Sequence, residues 1–166
     1  MAYANQYKMF NQKNYDDNDS RAKRAMTKYL LENGFKDVQS KENYSFDLFA
    51  KKDNEERDFI EGHLFEVEVK TQWKNDWPSA WEEVRIPQRK SRLIQRWKEK
   101  YPDFYFNFVV FNNFCTQAWF FDADLVARSR VGTIKNSRLV NSPHLREPFF
   151  HIPVELARLE IIKKGK

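Results

Sequence analysis

The stretch Phe65-Glu66-Val67-Glu68-Val69-Lys70 sets the fold. Apolar residues alternate there with charged ones. Period-two spacing puts Phe65, Val67 and Val69 on one face of a strand and Glu66, Glu68 and Lys70 on the other. This strand is expected over residues 63–72. Upstream, a strand over 44–51 sets Phe46, Leu48 and Ala50 against Asp47, Phe49 and Lys51. The acidic, turn-like segment 53–62 joins the two, most simply as an antiparallel hairpin. With pairing symmetric about that loop, Asp47 lies nearly opposite Glu68, at the ~5 Å Cβ spacing of cross-strand neighbours. A slip of one residue would send Asp47 to the other face.

Outward from the hairpin, the pattern turns helical on both sides. Asp19 or Ser20 can cap a helix that runs to about Asn33, with Ala22, Ala25, Met26, Tyr29 and Leu30 as its apolar stripe and Asn33-Gly34 as its stop. Residues 1–18, rich in Asn, Gln and Asp, read as a loosely attached arm before one domain over 19–166. A short extended piece is expected over 35–39. After the irregular, tryptophan-bearing segment 73–84, a second helix is expected from Ile86, with Pro87 in its first turn. Its buried stripe is Ile86, Leu93, Ile94, Trp97 and Tyr101, and Pro102 closes it. Aromatic runs over 104–111 and 117–125 read as strands turning at Asn112-Asn113. Further strands are expected around 131–134 and 148–152, then a closing helix over 153–161.

Composition narrows the function classes. The chain has 166 residues, with 41% hydrophobic content, fifteen Phe, seven Tyr and five Trp, enough to fold around a core as one domain. Its net charge of +5 is too modest to establish a nucleic-acid partner by itself. Cys115 is the only cysteine, which excludes an internal disulfide and fits a reducing cytoplasm. No apolar run reaches the ~20 residues of a membrane span, so no membrane partner is expected, and residues 1–18 lack the apolar core of a secretory signal. Four scattered glycines, Gly34, Gly62, Gly132 and Gly165, build neither a phosphate-cradling loop nor a nucleophile elbow. His63, His144 and His151 have no zinc-ligand spacing.

Two carboxylates on one sheet face with a lysine beside them suit metal-dependent phosphodiester chemistry. The carboxylates hold a divalent cation, and the ammonium sits by the scissile phosphate or its attacking water. Glu68-Val69-Lys70 is the only acid-x-Lys triplet in the chain. The bland alternative is a solvated sheet face on which Glu and Lys offset one another. Glu66 lies a full strand repeat from Glu68, ~6.5–7 Å away, so an outer or ion-pairing role suits it better than direct ligation. In the second helix Arg89, Arg92 and Arg96 share a face, with Lys90 nearby. That face is either a solvated surface or a track for nucleic-acid phosphates. Trp73, Trp77 and Trp81 read as core, with base stacking as the alternative.

Helix, Asp-bearing strand, Glu-x-Lys strand, helix, strand: this order resembles the PD-(D/E)XK nuclease superfamily over roughly residues 20 to 125. The matching residues are Phe46-Asp47 and Glu68-Val69-Lys70, with Phe46 in place of the family's proline. The resemblance implies a restriction-endonuclease-like fold, an α/β mixed sheet flanked by helices with an α-β-β-β-α-β core. It implies that Asp47 and Glu68 bind Mg²⁺, for which Mn²⁺ substitutes, with the Val69 carbonyl as a further ligand, and that Lys70 is the catalytic lysine. Glu66 and Gln72 would be accessory. The expected activity is Mg²⁺-dependent hydrolysis of DNA, by an endonuclease ahead of an exonuclease, with branched or junction DNA among the substrates. The alternative is an inactive nucleic-acid-binding protein of the same fold. Cutting two strands needs two sites, which by analogy leaves a homodimer open.

Overall fold

The computed structural model describes residues 12–40, 45–133 and 147–162, with side chains from residue 17. The chain is mixed α/β. A six-stranded mixed sheet has helices on both faces, and a smaller three-stranded sheet packs against it. No helix among the described residues is long and apolar enough to cross a membrane.

Helix α1 spans Gln12–Glu32. It begins well before Asp19, so part of the expected arm is helical; residues 1–11 lie outside the described residues. Ala22, Met26 and Leu30, at i, i+4 spacing, are fully buried. The helix ends where expected. Gly34 adopts a φ of +84°, and the Phe35 N–H donates to the Leu30 carbonyl at 2.9 Å, closing a Schellman motif.

Strands β1 (Lys36–Ser40), β2 (Leu48–Asn54) and β3 (Phe59–Lys70) follow as an antiparallel meander. The turn between β2 and β3 is tighter than the sequence suggested, and β3 ends at Lys70, leaving Gln72 in a turn. The chain then crosses over to β5 (Tyr105–Asn112), which lies parallel to β3. Strand β6 (Gln117–Asp122) returns antiparallel, giving the order β1-β2-β3-β5-β6, with edge strand β9 (Arg158–Ile161) beside β6. The turn after β5 is held by Asn112, which is fully buried. Its Oδ1 accepts from the Thr116 and Gln117 N–H groups at 2.7 and 3.0 Å, and its Nδ2 donates to the Lys74 carbonyl at 3.1 Å.

Three expected elements differ. Ile86 and Pro87 close a strand, β4 (Glu83–Pro87), rather than open a helix; a 3₁₀ turn (Gln88–Lys90) and helix α2 (Ser91–Lys100) come after it. The second aromatic run stops at Asp122, whose carboxylate accepts the Asp124 N–H at 2.7 Å and caps helix α3 (Ala123–Arg128). The closing helix is absent. A 3₁₀ turn (Val154–Leu156) and edge strand β9 (Arg158–Ile161) stand there instead. Strands β7 (Arg130–Thr133) and β8 (Pro148–Pro153) lie near their expected places, except that residue 134 lies outside the described residues. With β4 they form the small sheet, in the order β4-β8-β7.

The core has two halves, one on each face of the large sheet. On one, α1 packs on Leu48, Ala50, Phe65, Val67, Val109 and Phe111. On the other, α2, α3 and the small sheet cover Phe49, Leu64, Phe106, Phe108 and Val110. Each large apolar side chain removed from water contributes about 1.5–3 kcal/mol, so the two halves together hold the sheet rigid. Phe46 belongs to the second half, with Phe49. It sits in a bend after Ser45, at φ 63°, and therefore leaves the alternation expected for it. The same face carries the charged row of β3, Glu66, Glu68 and Lys70, which follows Leu64 at period two, and its setting decides what the site can do.

Candidate active site

The register of β2 and β3 pairs Leu48 with Phe65. Continued by one residue, it sets Asp47 beside Glu66, not beside Glu68. The side-chain hydrogen bonds agree. The Asp47 N–H donates to Glu66 Oε1 at 2.9 Å, and the Val67 N–H donates to Asp47 Oδ2 at 3.0 Å. The hairpin centre lies one residue earlier than a symmetric loop would place it, and this moves the partner by two residues while keeping its face.

Residues 66–70 of β3 run beyond the pairing with β2 and keep β5 as their neighbour on the other side. The carboxylates thus lie at the carboxyl ends of the parallel pair β3 and β5, where open α/β sheets place their ligands. Glu66 is buried and Asp47 half-buried, while Glu68 is exposed. The 3₁₀ turn before α2 brings Lys90 into this group, its Nζ 3.2 Å from Glu66 Oε2. From the α1 side, Lys23 Nζ stands 3.9 Å from Asp47 Oδ1 and 2.9 Å from Asp19 Oδ2. A cavity of about 20 Å³ beside Glu66, Glu68, Ile86 and Lys90 has room for about one water or small ion.

Charge is tightly balanced here. Burial, and then the Asp47 carboxylate, push the Glu66 carboxyl up to about 7, with Lys90 pulling the other way. Glu68 is also raised. Solvent reaches it, but protein crowded around it strips hydration, and the cations Lys90, Lys70 and Arg89 offset only part of that loss. Burial pulls Lys90 down, but Glu66, Asp47 and Glu68 outweigh it and the net direction is up.

Lys70 lies at the end of β3 with its Nζ 5.3 Å from the centre of the Trp81 ring, a cation–π contact. It lines a groove of about 430 Å³ with Gln72, Trp81, Glu83 and Arg85. Gln72 is exposed in the turn. The Val69 side chain packs on the α1 side, so only its main chain can address the site. Arg89 is exposed and ion-paired with Glu147, and it stands in the 3₁₀ turn rather than in the helix with Arg92 and Arg96. Arg92 is exposed and Arg96 half-buried. Trp73 is fully buried, and Trp77 and Trp81 pack against the same core, which agrees with the structural reading of the three.

The donors suit a hard cation. Asp47, Glu66 and Glu68 offer carboxylate oxygens, and burial together with the Asp47 carboxylate holds the Glu66 carboxyl above its usual range. Among the described residues no three His, Cys, Asp or Glu side chains already converge as a cation cage. Mg²⁺ asks for less, since one or two carboxylates suffice when waters and a substrate phosphate complete its shell. Sequence reasoning placed Glu66 at the margin and Lys90 among the phosphate contacts. Both belong to the buried end of the site; the turn position that brings Lys90 there leaves no mark in strand periodicity, and neither does the hairpin register that sets Asp47 beside Glu66.

Compared with protein-family models and with curated proteins, the chain matches none of them.

Proposed function

We propose that this protein is a Mg²⁺-dependent nuclease that hydrolyses DNA phosphodiester bonds, acting as an endonuclease, with branched or junction DNA among its substrates. The observation that carries this reading is the meeting of Asp47 with the acidic face of β3, beside Lys70 and Lys90, at the carboxyl end of the parallel strand pair. The element order α1, β1, β2, β3, α2, β5 and the sheet order β1-β2-β3-β5 support a restriction-endonuclease-like core, with β4 inserted before α2. Cys115, the sole cysteine, supports a cytoplasmic setting.

Asp47, Glu66 and Glu68 would hold Mg²⁺, with the Val69 carbonyl as a further donor. Bound there, Mg²⁺ would polarise the scissile phosphate and acidify a water. Lys70 orients the attacking water and stabilises the charge that builds on the phosphate oxygens. Arg92 and Arg96 on α2 hold the neighbouring backbone phosphates by charge-assisted hydrogen bonds. The sheet beneath fixes the Asp47 main chain against Glu66, so the acids need little rearrangement during the reaction.

A second reading, an inactive nucleic-acid-binding protein of the same fold, is favoured by one observation. The Lys90–Glu66 ion pair neutralises Glu66 without a metal. Single-turnover cleavage of linear, nicked, flapped and four-way-junction DNA, in Mg²⁺, Mn²⁺ and chelator, separates the two. The nuclease cuts at least one member, stops in chelator, and is silenced by Asp47→Asn. Binding of the panel in Ca²⁺ with no cleavage in Mg²⁺ or Mn²⁺ would replace it with the binding protein.

A further inference from the structure

The buried end of the site already holds a cation. Lys90 Nζ stands 3.2 Å from Glu66 Oε2, while Glu66 Oε1 accepts the Asp47 N–H. Glu66 is 7% exposed, so this carboxylate meets protein rather than water on nearly every side. The field of Lys90 also reaches Asp47 and Glu68. Lys90 therefore stands among the same acids that a divalent ion would use.

Two cations cannot both press on one carboxylate oxygen, because they repel each other and compete for the same lone pairs. The carrier of this ammonium is suited to leave. Lys90 ends a 3₁₀ turn, its side chain is partly open to solvent, and its four-carbon stem is flexible. The neighbouring cavity of about 20 Å³ also leaves space beside the pair for an incoming ion.

We propose that Lys90 is a resident counter-cation, displaced from Glu66 when Mg²⁺ binds between Asp47 and Glu66, and turned by that displacement toward a phosphate oxygen of the substrate. The inference rests on the metal-site reading above and deepens it. Glu66 is then a ligand that must first release Lys90, and metal loading becomes the event that arms a second substrate-facing lysine. Lys90 thereby keeps the acids compatible with a folded protein before metal arrives.

Lysine ammonium NMR on the whole protein tests it. In chelator, Lys90 gives a protected NH₃⁺ signal, identified by its loss in Lys90→Arg. Mg²⁺ addition moves this signal to the position of exposed lysines, with the same midpoint as the shifts of the Asp47 and Val67 amides. By calorimetry, Lys90→Gln binds Mg²⁺ roughly ten-fold more tightly, since one charge-assisted hydrogen bond no longer has to be broken. A Lys90 signal that stays in place while the Asp47 and Val67 amides saturate overturns the counter-cation and leaves the metal site standing. Equal or weaker Mg²⁺ binding by Lys90→Gln has the same force. No amide shift at either residue overturns the metal site and this inference together. The wild-type titration decides the matter even if Lys90→Gln does not fold.

Discussion

Asp47 and Glu66 meet across the end of the β2–β3 hairpin, the Asp47 N–H donating to Glu66 Oε1 at 2.9 Å. Two acids held this close, one of them buried, give metal-free stability a definite dependence on pH. Burial and Asp47 raise the Glu66 carboxyl from an ordinary 4.5 to about 7. Between those values the folded protein keeps a proton that the unfolded chain has released, so stability falls as pH rises across that window and levels off above it. Urea unfolding in chelator at pH 5 and pH 8 should show this fall in the wild type and a smaller one in Glu66→Gln. An equal fall in both proteins would remove Glu66 as its source. Mg²⁺ affinity should rise over the same window, since the ion competes with that proton.

The regular parts of this fold were legible because their periodicity is strong. The stripe of α1 and the alternation of β3 each had one good solution, and Asp47 and the Glu-x-Lys row were singled out as candidates from them. Segments whose state depends on distant partners were not. Val84 and Ile86 alternate as a strand should, but β4 is short, exists only beside β8, and ends in a proline that equally suits the first turn of a helix. Strand β9 lies at an edge with Leu159 and Ile161 exposed, so its sequence carries little burial pattern. The strand expected over 117–125 ran through Asp122, because the aromatic run before it dominated the pattern and hid the cap. The pairing of Asp47 with Glu66 turns on a one-residue shift of the hairpin centre, which loop composition does not specify.

Asn112 satisfies four polar partners inside the protein, the Thr116 and Gln117 N–H groups, the Lys74 carbonyl and the Thr116 hydroxyl. Asn112→Ala leaves two N–H donors of half-buried residues without their acceptor. The expected loss is about 2–4 kcal/mol by chemical denaturation. Asn112 also pairs with Lys70 across β5 and β3, so this turn anchors the strand end that carries the proposed catalytic lysine. A loss below about 1 kcal/mol would mean that water replaces the network.

The basic surface after β4 gives a prediction with two signs. Arg92 is exposed on α2, and Arg92→Gln should weaken DNA binding and lower the log–log salt slope by about one. Arg89 is already engaged by Glu147, so Arg89→Gln should cost less. Glu147→Gln releases that guanidinium and removes a negative charge, and it should tighten binding. Fluorescence anisotropy across a salt series reads all three. If the slope of Arg92→Gln stays at the wild-type value, the nucleic acid runs elsewhere.

Lys70 separates a nuclease from a binding protein of the same fold. Its ammonium lies over the Trp81 ring, and a guanidinium stacks on an indole at least as well. Lys70→Arg therefore keeps the charge, the stack and the fold. What it changes is shape, because the planar fork cannot occupy the point of a compact ammonium beside the attacking water. It also cannot share a proton near neutral pH. In a binding protein this exchange is nearly neutral. In a nuclease it retains DNA affinity measured in Ca²⁺ and loses most of the single-turnover rate in Mg²⁺, on the order of 10²-fold or more. Lys70→Ala loses the rate as well, and somewhat more of the binding. Cleavage by Lys70→Arg at the wild-type rate would place the reacting phosphate away from the end of β3.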